Sequence, residues 1–453
     1  MTLTVDAIRD CLEGAIPAVI ATCAADGTPN VSHLSQVQYV DSEHVALSYQ
    51  FFNRTRQNVL SNPQATVLVV NPATAACYRL ALRYLRTETG GPLFENMKAK
   101  LAGIASHTGM TGVFRLRGAD VYRVSEIEAI PGKTLPPPPP RRNMLSAVRV
   151  CSERIRACHG LDELLDRTLA VLETELEIRH AMILMLDATG KLYTVASRGY
   201  DVSGVGSEIP LGQGVIGVAA REHTPIRIGH MTAEYGYSRA IRASATQGGM
   251  ADMLETEIPL PGLPESRSQM AVPILAFDQL LGVLYVESER DLRFGYDDED
   301  ALVTVAGQLG GTMHVLHSAA DAAEDASTVA ASGLPDVIGA PVVVRHYAEN
   351  DSVFIDDDYL IKGVAGAIFW ALVNDYTHKQ RTAFSNRELR LDPRIRLPDI
   401  SDNLEARLIL LQRRLEERNA CVRIKKSGRG RFRLLVNRPL QLDGIATGDP
   451  ARR

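Results

Sequence analysis

A run of five consecutive prolines, Pro136 to Pro140, divides the chain more firmly than any other feature. Proline donates no backbone hydrogen bond and favours the extended polyproline II conformation, so such a run forms a semi-rigid spacer between folded units. The 453 residues also exceed the roughly 100–200 of one ordinary domain. We therefore expect a domain at 1–130, a linker at 131–142, and further domains beyond the linker.

A second break is expected where alanine, serine, aspartate and glycine dominate the sequence, at 318–336. Such a stretch lacks the large apolar side chains that a core requires. It separates a domain at 143–317 from a domain at 337–445, and the last residues, 446–453, are expected to form a loose tail. The predicted fold class is a multidomain α+β protein.

Composition excludes two classes of protein. No apolar run approaches the 18–20 residues of a membrane helix, and the N-terminal residues lack the basic start of a secretory signal, so no membrane association is expected. The six cysteines are scattered without a Cys-x-x-Cys pair, which is typical of reduced thiols. We expect a cytoplasmic protein. Its net charge of −5 gives no sign of nucleic-acid binding by the chain as a whole.

Short strands with tight turns fill the first domain. An amphipathic helix is predicted at 3–14, an apolar strand at 18–22, and a hairpin turn at Asp26-Gly27. A short helix at 53–62 ends before a proline, and a late pair of strands spans 113–124. Several short strands joined by hairpins are typical of a small β-barrel.

The motifs of this domain resemble the pyridoxamine 5′-phosphate oxidase-like, FMN-binding split-barrel family over residues 15–125. The resemblance is carried by Asp26-Gly27-x-Pro29, by Ser48, and by the helix Arg54-Thr55-Arg56-x-Asn58 that ends in Asn62-Pro63. It implies FMN bound at a homodimer interface. The residues it assigns to the cofactor are Val31, Ser32, His33, Ser35, Ser48, Arg54, Thr55, Arg56 and Asn58.

The chemistry of the assigned residues supports a phosphate-bearing cofactor. Guanidinium groups and helix N-terminal amides both favour a phosphate, and Arg54 and Arg56 flank the start of the predicted helix. The family's usual basic residue is replaced by Thr55, which shifts the expected contacts. Relatives of this barrel bind a deazaflavin or haem, so both remain alternatives to FMN, with His33 and His107 as candidate haem ligands.

The second domain has a long helical periodicity at 144–178 followed by strands and a closing helix, the order of an α/β sandwich. Its most specific motif is Ser268-x-x-x-Val272-Pro273-Ile274, a turn, Gly282-Val283-Leu284, and then Phe294-x-x-x-Asp298. These features resemble a GAF domain, and the resemblance implies a small-molecule pocket whose ligand is not identified. Its candidate residues are His230, Tyr235, Tyr237 and Arg239.

The third domain has a predicted helix at 402–418 that carries leucines on one face, followed by a predicted hairpin at 422–434. This order resembles the winged-helix DNA-binding domains of response regulators, and the resemblance implies that the helix is the recognition helix and the hairpin the wing. Basic side chains without an intervening acid line the hairpin, which is typical of phosphate contacts. The residues predicted to contact DNA are Arg407, Gln412, Arg413, Arg414, Lys425, Lys426, Arg429, Arg431 and Arg433.

These domains together predict a sensory transcriptional regulator. The barrel and the GAF domain would sense a redox or small-molecule signal and control DNA binding by the winged helix, in a homodimer. Two alternatives stay open: an FMN-dependent oxidoreductase with regulatory appendages, and a protein-interaction scaffold. The sequence assigns no catalytic residue and no metal ligand.

Overall fold

The structure, a computed structural model, describes residues 3–12, 16–34, 36–49, 54–107, 116–137, 143–229, 258–323, 339–395, 404–428 and 430–445. Its strands form four hydrogen-bonded sheets, and among the described residues no sheet crosses a predicted linker. We call the three units the N-terminal domain (1–130), the central domain (143–317) and the C-terminal domain (337–445).

The N-terminal domain is built on one seven-stranded sheet. It opens with a 3₁₀ helix, Asp6–Leu12, where the sequence predicts an α-helix. The remaining elements are β1 Ala18–Cys23, β2 Pro29–Leu34, β3 Val37–Tyr39, β4 His44–Tyr49, α1 Arg54–Ser61, β5 Gln64–Val70, β6 Cys77–Glu88, α2 Pro92–His107 and β7 Gly118–Ile130. The strand, hairpin and helix predicted from 18 to 62 are confirmed.

All neighbouring strands of this sheet are antiparallel, in the order β2-β1-β5-β6-β7-β4-β3. Side chains alternate between the two faces of a strand, and one face buries a core that includes Ile20, Val67, Leu80 and Tyr122. The turn between β1 and β2 uses Gly27 at a φ of +87°, a conformation that favours glycine.

The central domain is a sheet covered by helices on both faces. Its elements are α3 Met144–Arg156, α4 Leu161–Leu176, β8 His180–Leu186, β9 Lys191–Arg198, β10 Glu208–Pro210, α5 Gly214–Glu222, β11 Ile226–Ile228, β12 Ser268–Ala276, β13 Gln279–Ser288 and α6 Tyr296–Ala323. The strand order is β10-β9-β8-β13-β12-β11.

The two faces of the central sheet bury different side chains. Ile183, Val272 and Leu284 belong to the core shared with α3, α4 and α6. Met182 and Tyr285 point the other way and pack with α5. The α/β sandwich predicted from the sequence is therefore observed, and α6 continues to Ala323, past the predicted boundary at 317.

The C-terminal domain contains two small sheets and three helices. Its elements are β14 Val342–Tyr347, β15 Ser352–Ile355, β16 Asp358–Ile361, α7 Gly363–Lys379, β17 Ala383–Ser385, α8 Asn386–Leu391, α9 Leu404–Glu417, β18 Val422–Gly428, β19 Arg431–Val436 and β20 Leu440–Ile445. The sheet orders are β16-β15-β14-β20 and β17-β19-β18.

Two local features of this domain, a capping box and a strand, can be compared with the predictions from the sequence. The predicted capping box at α8 is present, because the Ser385 hydroxyl accepts from the Glu388 amide and the Glu388 carboxylate accepts from the Ser385 amide. Strand β20 was not predicted; it pairs in parallel with β14, and Val342 lies opposite Leu440. The chain end thus returns to the strand with which the domain begins.

Candidate cofactor site and nucleic-acid interface

The residues predicted to hold a cofactor phosphate lie at the start of α1. Arg54, the first residue of the helix, is exposed. The hydroxyl of Thr55 accepts a hydrogen bond from Asn30 Nδ2 at 2.9 Å, so it ties the helix to β2. Asn58 is buried and donates from Nδ2 to Thr22 Oγ1 at 3.1 Å. Of these three residues, Arg54 is the most exposed.

Arg56 turns into the end of the barrel. It pairs with Asp120 on β7, and Nη2 donates to Thr87 Oγ1 at 2.8 Å. The two charged side chains are only 14% and 7% exposed. Burial opposes the charge, but the hydrogen bond and the negative charge of Asp120 outweigh it and raise the pKa of Arg56. Its guanidinium is neutralised within the domain, which favours a structural role over the predicted phosphate contact.

The remaining predicted cofactor residues occupy two strands. Val31, 68% exposed, and His33 lie on β2, the edge strand of the sheet, with Ser32 between them partly buried. Ser35 lies outside the described residues. Ser48 on β4 has a buried hydroxyl oxygen without a hydrogen-bond partner among the described residues. The exposed edge of β2 and this hydroxyl are polar positions that a cofactor could still satisfy.

These positions fit a phosphate-bearing, ring-containing cofactor in part. Arg54 supplies an exposed cation at a helix start, where amide groups are also available. Ser48 supplies a buried hydroxyl that has no hydrogen-bond partner in the described part of the domain. Arg56, Thr55 and Asn58 already have protein partners. The sequence could not reveal this division, because Asp120 lies 64 residues from Arg56.

The candidate ligand residues of the central domain, His230, Tyr235, Tyr237 and Arg239, lie outside the described residues. A polar group that the sequence did not indicate lies on the face of the sheet covered by α5. The carboxylate of Glu287 on β13 is buried and accepts a hydrogen bond from the Leu263 amide at 3.0 Å. Burial, together with this carboxylate, raises the pKa of the Tyr200 phenol well above its ordinary range.

Helix α9, the predicted recognition helix, is covered by the central domain instead of facing solvent. Arg413 donates to Asp162 and Asp166 of α4, both at 2.7 Å. Arg407 is buried, with its guanidinium carbon 4.0 Å from the centre of the Tyr193 ring.

The other two predicted contacts of this helix also have partners within the chain. Arg414 is buried and donates to the Leu360 carbonyl at 3.1 Å and to Glu417 at 2.8 Å. Gln412 donates to Glu416 at 3.1 Å. In this arrangement of the domains the three arginines of α9 are buried or ion-paired, and their predicted contacts with DNA stay a prediction. The leucine spacing identified the apolar face but could not show what covers the polar one.

The hairpin β18–β19 remains a basic surface. Arg423 and Lys425 are exposed, on the opposite face of β18 from the buried Val422 and Ile424. Lys425 lies directly across from Arg433. Two basic side chains therefore lie side by side on this face of the hairpin.

Of the remaining basic residues predicted in the wing, Arg431 and Arg433 lie on this surface. Arg431 lies two residues from Arg433 on β19, so the two side chains share one face of the strand. Lys426 is exposed but pairs with Glu405 at 3.0 Å. Arg429 lies outside the described residues. We call Arg423, Lys425, Arg431 and Arg433 the basic hairpin face.

Metal clusters and membrane-spanning helices are both absent from the described residues. Within the described ranges, no group of three or more histidine, cysteine, aspartate or glutamate side chains could hold a metal ion. No helix in the part of the chain that the structure describes is long and apolar enough to cross a membrane.

Comparison with known families agrees with the first two domains. The model of the pyridoxamine 5′-phosphate oxidase family matches residues 4–111, and that of the GAF domain matches residues 160–313. The chain contains a pyridoxamine 5′-phosphate oxidase-like domain and a GAF domain. Neither match extends into the C-terminal domain.

Solved structures resemble these two domains one at a time. The GAF domain of an Acinetobacter phosphoenolpyruvate-protein phosphotransferase is 22% identical, covers 39% of this chain and 97% of its own, and gives a TM-score of 0.30. Free methionine-R-sulfoxide reductase from Neisseria meningitidis is 18% identical, with coverages of 39% and 91% and a TM-score of 0.30. An FMN-binding protein from Syntrophomonas wolfei is 16% identical, with coverages of 27% and 88% and a TM-score of 0.23. No curated protein matches the chain.

Proposed function

We propose that the protein is a sensory regulator whose C-terminal domain binds DNA. Its N-terminal domain would hold FMN and its GAF domain a small molecule, so that either signal can change the output domain. The matches to the two families support the sensory part. The output rests on one observation, the basic hairpin face.

The fold around the basic hairpin face supports a winged-helix assignment. Helices α7, α8 and α9 are followed by the two-stranded hairpin, and β17 pairs with β19 beside it. The hairpin carries its cations outward while Val422, Ile424 and Phe432 anchor it in the core. A rigid hairpin with four basic side chains on one face can follow a phosphate backbone.

The cofactor that best suits the N-terminal domain is FMN. When bound, a flavin supplies redox chemistry that responds to cellular oxidants and reductants. Arg54 would bind its phosphate, and the edge of β2 with the Ser48 hydroxyl would face the ring system. Arg56 and Asp120 would hold the end of the barrel in shape beneath this site.

We also propose a homodimer. The helices α3 and α6 pack together, and each leaves a large apolar side chain in solvent: Leu145 is 81% exposed and Val315 is 63% exposed. Side chains of this kind are commonly covered by a partner. Sedimentation analysis of the full chain tests this, and a monomer at micromolar concentration would contradict it.

DNA binding is tested with the full chain and a labelled duplex of random sequence. The double variant Arg423→Gln/Lys425→Gln removes two cations of the basic hairpin face, and we expect at least a tenfold loss of affinity, about 1.4 kcal/mol. The control Arg167→Gln/Arg198→Gln removes the same net charge from the surface of the central domain. Equal affinities of the two variants would refute the assignment of the hairpin.

A further inference from the structure

The guanidinium of Arg413 in α9 bridges two carboxylates of the GAF domain. Its Nη2 donates to Asp162 Oδ1 and to Asp166 Oδ1, both at 2.7 Å, and its Nη1 donates to the Val195 carbonyl at 3.1 Å. The two aspartates lie one helical turn apart on α4, so they face the same neighbour. The three acceptors that Arg413 binds, Asp162, Asp166 and the Val195 carbonyl, therefore all belong to the central domain.

The same helix contacts the central domain at further points. Arg407 Nη2 lies 3.6 Å from Asp187 Oδ2, and the guanidinium lies over the Tyr193 ring. Near the other end of α9, Glu417 accepts a hydrogen bond from Ser203. We call these contacts the α9 seam. It joins α9 to the GAF domain through charged and polar side chains, beside a hydrophobic core that the two domains share.

A seam of this composition can open in water. Asp162 is 43% exposed and Asp166 is 66% exposed, so solvent and salt weaken their attraction for Arg413. Polar contacts between domains of one chain commonly permit relative motion. Leu404, Leu411 and Leu415 of α9 are buried in the hydrophobic core that both domains share, so they hold the helix in place alongside the ion pairs.

We propose that the α9 seam is an intramolecular lock on DNA binding. Carboxylates and phosphates bind the same N–H donors of a guanidinium. While Asp162 and Asp166 bind Arg413, its guanidinium is therefore not available to a DNA phosphate. In the locked form only the basic hairpin face is available; in the open form Arg407 and Arg413 join it, whereas Arg414 keeps its partners Leu360 and Glu417 within its own domain. This inference rests on the proposed function and adds the means of its regulation.

The double variant Asp162→Asn/Asp166→Asn tests the lock in the full chain. The substitutions preserve size and remove the charges that hold Arg413. The matched control is Glu163→Gln, on the same helix, because Glu163 pairs with Arg167 and not with α9. Two quantities are measured: affinity for a random-sequence duplex, and hydrogen exchange of amides at 193–207 and 404–417.

The lock predicts that the double variant binds DNA several-fold to about tenfold more tightly, the range that two partly exposed ion pairs allow. Exchange in both segments should accelerate, while the Glu163→Gln control should behave as the wild type. Unchanged exchange and unchanged affinity would overturn the lock even if the wild type binds DNA. Faster exchange in the double variant, with no DNA binding by the variant or the wild type, would show that the aspartates hold α9 in place. The same result would refute the proposed function, and with it the role of the seam in DNA binding.

Discussion

Arg227 donates from Nε to Glu299 at 2.8 Å, and this buried pair lies where the N-terminal domain meets the GAF domain. The Tyr296 ring beside it is contacted by two guanidinium groups, with that of Arg9 at 4.0 Å and that of Arg227 at 4.5 Å. Arg9 belongs to the N-terminal domain and Arg227 to the GAF domain. A tyrosine contacted by cations from both domains joins the pyridoxamine 5′-phosphate oxidase-like domain directly to the GAF domain.

Tyr296 also anchors this junction through its hydroxyl, which donates to the Leu12 carbonyl at 3.2 Å. We expect Tyr296→Phe to lower the free energy of unfolding by about 0.5–1.5 kcal/mol, because it removes one hydrogen bond and keeps the ring. Tyr296→Leu should cost more, since it also removes both cation–π contacts. Urea unfolding checks the order, with Tyr347→Phe as an exposed control. Equal losses for the two variants would show that the ring contributes nothing.

Glu299 should make the same junction sensitive to acid. Burial raises the pKa of its carboxyl, but the positive charges of Lys100, Arg227 and Arg9 outweigh burial and lower the pKa below its ordinary value. A lowered pKa in the folded state gives stability that is present above the unfolded value of about 4.3. That stability is lost as the pH falls through the folded pKa.

The acid sensitivity is measured by comparing wild type with Glu299→Gln. The free energies of unfolding at pH 7 should differ in favour of the wild type, and the difference should shrink as the pH is lowered below about 4.3. The exposed neighbour Asp297→Asn serves as control. A difference that stays constant down to pH 3 would contradict the electrostatic role of Glu299.

Because Arg56 and Asp120 form a buried ion pair, we expect the effects of replacing them on the free energy of unfolding to be non-additive. Arg56→Met leaves an uncompensated carboxylate inside the barrel and should cost about 3–5 kcal/mol. The double variant Arg56→Met/Asp120→Leu removes both charges and should be more stable than the single one. Chemical unfolding measures both losses. If the double variant loses at least as much as Arg56→Met alone, the pair is not coupled as described.

FMN binding should depend on Arg54 more than on any other arginine of α1. A charge-assisted hydrogen bond to phosphate contributes about 1.5–3 kcal/mol, so Arg54→Ala should weaken FMN binding by about tenfold or more. Quenching of FMN fluorescence gives the affinity. Arg83→Ala on β6 is the control, since Arg83 is also exposed. An Arg54→Ala variant that binds FMN like the wild type would place the phosphate elsewhere.

Local patterns in the sequence predicted most of the fold. Hydrophobic periodicity located β1 and α9, and a capping pattern located the start of α8, because these signals depend on neighbouring residues. Strand β20 was missed because its partner, β14, lies about a hundred residues earlier in the chain. Long-range pairing of this kind leaves no local signature.

The candidate sites were predicted less completely, for the same reason. The sequence predicts that Arg56 and Arg413 bind phosphate, yet Arg56 binds Asp120 and Arg413 binds Asp162, carboxylates that are distant in sequence. The sequence shows a charge but not its partner. The exposed cations of the hairpin could be predicted because strand alternation alone decides which side chains face outward.

The salt dependence of DNA binding by the full chain tests the central claim most directly. Each phosphate neutralised by a cation contributes about −0.9 to the slope of log affinity against log salt concentration. Three to four contacts by the basic hairpin face predict a slope of about −3, reduced in magnitude by about 0.9 in Lys425→Gln. A slope near zero, or one that Lys425→Gln leaves unchanged, would contradict a DNA-binding role for the C-terminal domain.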